Sequence, residues 1–384
     1  MQSVASVAGE EAFAQIEKAL AAGGAAAALD LLARKFLTEK QYPRLFETRL
    51  MEKRHELGLP LIQLGAIEDL PEPSRASYEE GVRQAAREIG GLFLADGDIP
   101  HAWPYFRAIG DRETVAAAIE KAEAGDQTEA LIDIALGERV HAPKGLELVI
   151  AQHGICRAIT YFEQFPDLDR REECLILLVR MLHSELVANL NSAIVQREGR
   201  APDANRITDL ILGRDWLFGE FDAYVDTSHV INVVRFAVDL ENQEAMRLAL
   251  ELCEYGAHLS AQFKMRGEPP FEDIYRDYAI YLRGLLGDDV DYAVAHFKSK
   301  IVAQQDPMTA IRSAQVLVGL LVRRERFKDA MQIAIEHLSE IAPEQLAGPT
   351  TFQLCQLAGD SERLKQLARE RGDLLSFAAG AIQS

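Results

Sequence analysis

Apolar residues recur along the chain at steps of three to five residues, and strand-like alternation of apolar and polar residues is nearly absent. Near the N-terminus, Leu29, Leu32 and Phe36 follow this spacing, and Leu45 and Leu50 continue it after a break at a lysine, a glutamine and a proline. Because a helix has about 3.6 residues per turn, the spacing predicts helices with one apolar face. The predicted fold class is all-α, with about eighteen to twenty helices in antiparallel pairs.

Two further stretches predict helical hairpins, in which two helices are joined by a short turn. The first is SYEEGVRQAAREIGGLFLADGDIPHAWPYFRAIGD, with an alanine and glycine face, a turn at Gly97–Asp98, and then Trp103, Tyr105 and Phe106. The second runs from DDVDYAVAHF to IAIEHLSEI and spaces small and large apolar residues as close helix crossing requires. Those residues are Ala293, Phe297, Ala314, Leu317, Leu320 and Ala330.

These hairpins resemble tetratricopeptide repeats. Each has a small residue on the first helix, the phrase LADGD or RRERFKDA at the turn, and an aromatic residue or alanine on the next helix. The resemblance covers about a third of the chain. It implies helix pairs stacked as an α-solenoid around a central helical bundle, and no binding residue follows from it.

Breaks in the helical pattern divide the chain into three predicted parts. They are an N-terminal array of helical hairpins (1–138), a central pair of duplicated hairpins (139–268) with a lid-like insertion (199–228), and a C-terminal tetratricopeptide-like array (269–384). The insertion is longer than connections within compact domains usually are, which favours a functional role. Its aromatic residues are too apolar for a free linker, so we expect them to pack over the central bundle. They are Trp216, Phe218, Phe221 and Tyr224.

Composition and charge narrow the classes of function. The 384 residues are 48% apolar, which is enough for a large core. A formal charge of −19 argues against binding to nucleic acid or to an anionic membrane, because both require a positive protein surface. No window is apolar enough to span a bilayer, and the first twenty residues lack the features of a signal peptide. Four cysteines without paired spacing fit reduced thiols, so a cytoplasmic protein is expected.

The central part contains an approximate duplication bounded by histidines. One hairpin runs from HGICRAITYF to ILLVRMLH and the other from HVINVVRFAV to ALELCEYGAH. The separations are 30 residues for His153 and His183, and 29 residues for His229 and His258. In an antiparallel hairpin, residues equally distant from the turn lie side by side, so His153 and His183 are predicted to be level. His258 shares its face with Glu251, and the simplest interpretation of that pair is exposure to solvent.

The stretch AQHGICRAITYFEQF places Arg157 one helical turn after His153. We therefore predict one polar cavity, lined by both residues, by His183 from the partner helix and by His229, which follows the capping candidate Asp226. The candidate ligand-binding residues are His153, Arg157, His183, His229, Asp226, Trp216 and Tyr224. The candidate metal ligands are His153, His183 and His229. The competing interpretation is that these histidines are hydrogen-bonded core residues.

The motifs of familiar chemistry are missing from the sequence. There is no phosphate-binding GxxxxGK[ST], no GxGxxG after a strand, no GxSxG and no HExxH, so a nucleotide cofactor is not expected and no catalytic residue is assigned. Two functions remain. The first is a soluble helical interaction module with an acidic surface, which binds a protein or peptide partner or a small anionic ligand. The alternative is an all-α enzyme or metal-binding protein with a histidine-lined pocket and a divalent metal.

Overall fold

The computed structural model describes residues 4–382, and the side chains of residues 10–382. In this part of the chain there are 19 α-helices and no β-strand; one isolated antiparallel bridge joins Arg266 and Asp273. The predicted all-α class is confirmed. None of the described helices is long and apolar enough to cross a membrane.

The chain divides into two compact units. The first consists of Met1–Gly154 and Asp167–Asp169, and the second of Ile155–Pro166 and Arg170–Ser384. The predicted division into three parts stays a prediction.

Unit 1 contains α1 to α7, and its first four helices pack in chain order. Tyr42 and Leu45 of α2 are buried with Ile89 of α3. A Cβ atom at Gly90 would lie 2.6 Å from the ring of Phe106, so the crossing of α3 and α4 requires glycine there. The helices of this unit are α1 (Val4–Thr38, broken at Gly23 and Gly24), α2 (Tyr42–Glu56), α3 (Ser74–Ala95), α4 (Ile99–Ala108), α5 (Arg112–Glu120), α6 (Thr128–Ile132) and α7 (Ala142–His153).

Unit 2 contains the other twelve helices. They are α8 (Ile155–Gln164), α9 (Arg171–Glu198), α10 (Ile207–Ile211), α11 (Thr227–Phe236), α12 (Gln243–His258), α13 (Ile274–Leu286), α14 (Val290–Ala303), α15 (Pro307–Arg323), α16 (Phe327–His337), α17 (Thr351–Leu357), α18 (Ser361–Arg371) and α19 (Leu374–Ile382). On α9, Val179, His183, Leu186 and Leu190 form a buried stripe.

From α11 onward, each helix of unit 2 packs against the next one along the chain. In addition, α13 contacts both α11 and α15, so these three helices form a row of neighbours. All six residues predicted to permit close helix crossing are buried: Ala293, Phe297, Ala314, Leu317, Leu320 and Ala330. The pairing of neighbouring helices is as predicted, and the tetratricopeptide-like superhelix stays a prediction.

Candidate functional site

The stretch predicted to place His153 and Arg157 on one helix is broken between them. Helix α7 ends at His153, Gly154 adopts φ 81° and ψ 171°, and α8 begins at Ile155. A positive φ is readily adopted only by glycine, so the sequence HG itself ends the helix. The expected single helix was wrong, and with it the expectation that one helical turn brings the two side chains together.

His153 and Arg157 have separate partners in separate units. In unit 1, the imidazole Nε2 of His153 lies 2.9 Å from a carboxylate oxygen of Glu129. In unit 2, the exposed guanidinium of Arg157 lies 5.7 Å from the ring centroid of Tyr161, on its own helix. The cavity predicted around Arg157 required a buried guanidinium, and this guanidinium is in solvent. A role of His153 and Arg157 in binding a ligand stays a prediction.

His183 belongs to a buried polar cluster that centres on Glu251. The carboxylate of Glu251 lies 3.0 Å from His183 Nε2 and accepts hydrogen bonds from Arg206 Nε at 2.9 Å and from the Ile207 amide at 2.8 Å. Burial alone would raise the pKa of Glu251, but the hydrogen bonds outweigh it and the pKa is lowered. The sequence had suggested that Glu251 faces solvent with His258. That suggestion was wrong, because Glu251 is only 6% exposed.

Asp226 and His229 lie at the start of α11. Asp226 is the N-cap, and its carboxylate accepts hydrogen bonds from the Ser228 hydroxyl and amide, which lower its pKa. His229 Nε2 lies 4.0 Å from this carboxylate. The cap predicted at Asp226 is therefore present, and the pair fixes the end of a helix.

The 199–228 insertion is folded onto unit 2. Ile207 and Leu217 are fully buried. The Tyr224 amide donates to Tyr255 Oη at 2.9 Å, and Trp216 lies under the guanidinium of Arg197 at 4.5 Å. Phe221, however, is 76% exposed, so not all four aromatic residues pack as expected.

The predicted metal ligands are not brought together as a set. Within residues 4–382, no group of three or more histidine, cysteine, aspartate or glutamate side chains is arranged to hold a metal ion. Each predicted histidine instead has a single carboxylate neighbour: Glu129 for His153, Glu251 for His183 and Asp226 for His229.

A large cleft lies elsewhere in unit 2, with a volume of about 860 Å³. This is near the upper end of the range of roughly 300–1,000 Å³ that small-ligand sites occupy. Three helices of the row line it, mostly at steps of three or four residues, so each contributes one face. Its lining residues are Ile231, Arg235, Val238, Asp239 and Glu241 from α11 and the turn after it, Ile274, Tyr278 and Tyr281 from α13, and Arg312, Gln315, Val316, Gly319 and Arg323 from α15, together with the loop 265–271 and Ala347.

Aromatic side chains form part of the floor of the cleft. Phe271 stacks on Tyr278 with ring centroids 4.0 Å apart, and Tyr281 meets Phe271 edge-on at 5.7 Å. Burial raises the pKa of Tyr278 and of Tyr281 to about 12, although Arg235 opposes the shift at Tyr278. Both phenols are therefore neutral hydrogen-bonding groups at neutral pH.

The loop 265–271 closes one side of the cleft. The Gly267 amide donates to the Glu272 carbonyl at 3.0 Å, and a Cβ atom at Gly267 would lie 2.2 Å from the carbonyl oxygen of Phe271. Glu268 forms an exposed ion pair with Arg312 at 3.3 Å. The loop is thus anchored through its backbone, and the ion pair reaches across to α15.

Arg323 and Asp239 lie at the end of the cleft nearest the turn after α11. Arg323 donates hydrogen bonds to the carbonyls of Val238, at 2.6 Å, and Leu240. These carbonyls follow the C-terminus of a helix, where a positive charge is favourable. Asp239 is open to solvent on one side, yet partial burial raises its pKa despite the neighbouring charges of Arg171 and Arg323.

One signal for this cleft is present in the sequence. Arg235 interrupts the apolar face of HVINVVRFAV, and Arg312 and Arg323 flank the apolar run of α15. Charged residues beside a buried stripe indicate a face that is neither core nor ordinary surface. Only the packing of α11, α13 and α15 shows that these faces meet.

Comparison with known proteins identifies no relative. No model of a protein family matches the chain, and the searches of curated proteins and of solved structures gave no significant match.

Proposed function

We propose that this protein is an interaction module that binds a segment of a partner protein in the cleft of unit 2. The observation that carries the proposal is the convergence of three helix faces, from α11, α13 and α15, on one open groove. A groove that crosses several stacked helices suits an extended ligand, since each helix adds one row of contacts. The expected tetratricopeptide-like stacking would give such a groove.

The lining of the cleft has the composition of a binding surface. Apolar and aromatic groups form its floor, and arginines stand beside them. Aromatic residues and arginine are enriched among the residues that contribute most to binding energy at protein interfaces. No catalytic arrangement is proposed in the cleft.

The alternative, an all-α enzyme or metal-binding protein with a histidine-lined pocket, has less support. His183 is hydrogen-bonded to Glu251 inside the fold, and His229 lies beside its own helix cap. Such pairs are expected if these histidines are hydrogen-bonded residues of the fold and not ligands of a metal. Ligand or metal binding by the predicted histidine set is kept as the second hypothesis, tested by metal analysis below.

The expected cytoplasmic location is kept as part of the proposal. Cys156, Cys253 and Cys355 are free thiols, and the last two of them are buried. Burial raises the pKa of the Cys253 thiol, which makes it unreactive at neutral pH. Unpaired thiols support a reducing compartment.

A substitution that fills the cleft tests the proposed function. A Cβ atom at Gly319 would meet only Tyr281 Oη, at 3.7 Å, so Gly319→Trp introduces a large side chain into the cleft without a backbone clash. The matched control is Gly91→Trp in unit 1, where a Cβ atom would meet nothing within 4 Å. The probe is a displayed library of random twelve-residue peptides, selected on the full chain.

We expect the library to yield peptides that bind the wild-type chain and the Gly91→Trp variant, and that lose binding to Gly319→Trp. Peptides that bind all three chains equally would place binding outside the cleft and contradict the proposal. A library that yields no binding peptide would contradict it as well.

A further inference from the structure

The cleft has an excess of positively charged side chains, whereas the chain as a whole has an excess of negatively charged ones. The chain has 41 lysine and arginine residues against 60 aspartate and glutamate residues. The cleft is lined by four arginines against three carboxylates, and it has no lysine. The arginines are Arg235, Arg266, Arg312 and Arg323, and the carboxylates are Asp239, Glu241 and Glu268. A local excess of guanidinium groups in an acidic protein favours an anionic ligand at this place.

Two of the four guanidinium groups have no carboxylate partner among the described residues. Arg235 is hydrogen-bonded to Tyr278 and, at 3.4 Å, to Asn232, both of which are uncharged. Arg266 is held through its backbone bridge to Asp273, and its side chain makes no hydrogen bond or ion pair with the described residues. Both side chains are exposed. They can therefore bind a carboxylate without first breaking an ion pair.

The other two arginines differ in how available they are. Arg312 pairs with Glu268, and the two side chains are 65% and 84% exposed. An ion pair that is so exposed contributes little, so a carboxylate of a ligand can replace Glu268. Arg323 already donates hydrogen bonds to the carbonyls of Val238 and Leu240. It contributes charge to the cleft and is not counted as a binding group.

The floor of the cleft requires more of the ligand than charge. Tyr278 from α13 and Val316 from α15 line the same cleft as the arginines, and Gly319 on α15 leaves space there. A ligand that offered only anionic groups would leave this apolar surface in water. An apolar side chain among the acidic ones would cover it and gain the free energy of burial.

The row of helices also sets the length of the ligand. Packed helices lie about 8–10 Å apart, so the faces of α11 and α15 are separated by roughly 16–20 Å. An extended chain covers about 3.3–3.6 Å per residue, so about five or six residues cross the row. A single small anion would contact one arginine site and leave the others unoccupied.

We propose, as a refinement that rests on the proposed function, that the cleft binds an extended acidic segment of a protein. Its carboxylates pair with Arg235, Arg266 and Arg312, and one apolar side chain lies on the floor at Tyr278 and Val316. The segment is about six residues long. Carboxylate and guanidinium groups match in a planar, bidentate geometry, which gives the interaction direction as well as charge.

Defined peptides test this refinement. The probe is a fluorescein-labelled seven-residue peptide with one glycine at each end, four glutamates and a central leucine. Three relatives replace all glutamates by glutamine, all glutamates by lysine, or the leucine by glycine. Fluorescence anisotropy with the full-length chain gives each Kd at low and at high salt.

We expect the acidic peptide with leucine to bind most tightly, and its glutamine relative to bind at least about tenfold more weakly. The lysine relative should not bind, the glycine relative should bind more weakly, and the affinity of the acidic peptide should fall as salt rises. Arg266→Gln should weaken binding of the acidic peptide several-fold. It alters no side-chain bond, so folding should be unaffected, and Arg235→Gln tests the second site. The control is Arg200→Gln, an exposed arginine of unit 2 outside the cleft.

Other outcomes separate this inference from the proposed function. Glutamine and glutamate peptides of equal affinity, both lost in Gly319→Trp, would overturn the acidic ligand and leave the interaction module standing. If free glutarate competed with the acidic peptide and had an equal Kd, the ligand would be a small anion and not a protein segment. That result would overturn both the acidic-segment inference and the proposed interaction module. Absence of binding by all four peptides would overturn the acidic-segment inference, and the library selection would then decide the proposed function.

Discussion

His183 on α9 and Glu251 on α12 are joined inside unit 2, with Nε2 and Oε2 3.0 Å apart and both side chains buried. The same carboxylate accepts hydrogen bonds from Arg206 Nε and from the Ile207 amide. Both residues belong to the 199–228 insertion, and Ile207 begins its short helix α10. Glu251 thus connects two long helices to a segment that has little regular structure of its own.

Removing this carboxylate should therefore destabilise unit 2. For Glu251→Ala we expect a loss of roughly 3–5 kcal/mol in the free energy of unfolding, because a buried imidazole and a buried amide lose their partner. Urea denaturation followed by circular dichroism measures it. The control is Glu244→Ala on the same helix, whose exposed pair with Arg180 should contribute at most about 1 kcal/mol. Equal effects of the two substitutions would show that Glu251 has no special role.

The lowered pKa of Glu251 also gives a dependence on pH. Since the folded-state pKa is below the unfolded value of about 4.3, the ionised group stabilises the fold above that pH. The contribution should decrease as the pH falls from about 4.3 through the lower folded-state value. We expect the difference in urea midpoint between wild type and Glu251→Gln to shrink between pH 6 and pH 3. A difference that stays constant, or grows, over this range would contradict the assignment.

Two glycine substitutions should have opposite effects. At Gly256 on α12 a Cβ atom would lie 2.2 Å from the Tyr275 ring, so Gly256→Ala should destabilise unit 2 by roughly 1–3 kcal/mol. At Gly91 on α3 a Cβ atom would meet nothing within 4 Å, and Gly91→Ala should stabilise unit 1 by about 0.5–1 kcal/mol through helix propensity. Chemical denaturation of both variants measures the signs. A neutral or stabilising Gly256→Ala would mean that α12 and α13 are not in such close contact.

Metal analysis distinguishes the two classes of function. We expect the purified chain to contain zinc, iron and manganese well below one atom per molecule, since the predicted histidines are paired with carboxylates singly. The measurement is inductively coupled plasma mass spectrometry after dialysis. One metal atom per chain, lost in a folded His153→Ala and His183→Ala double variant, would establish the metal-binding alternative instead.

The sequence predicted the helices better than their contacts. A period of 3.6 residues depends on local spacing, and residues that it selected for close helix crossing, such as Ala314 and Leu317, are buried. The break at Gly154 also has a signal in the sequence, because helices frequently end at a glycine. The apolar pattern of AQHGICRAITYFEQF continues across this glycine, so periodicity by itself predicts a single helix there.

The candidate site could not be predicted in the same way. Glu251 is separated from His183 by 68 residues, and its neighbours along α12 gave no sign that this face is buried. The residues of the cleft are also far apart in the sequence, since three helices lie between the helix of Arg235 and the helix of Arg312. Such sites arise from packing between distant segments, for which a single sequence has no local signal.

Helix α15 divides two tasks between its faces. Ala314, Leu317 and Leu321 are buried in the fold, whereas Val316 and Gly319 line the cleft. The residues that pack the fold and the residues of the proposed binding cleft therefore lie on opposite faces of one helix, about half a turn apart. In evolution or in the laboratory, the recognised partner could be exchanged by altering the cleft face while the core face is kept.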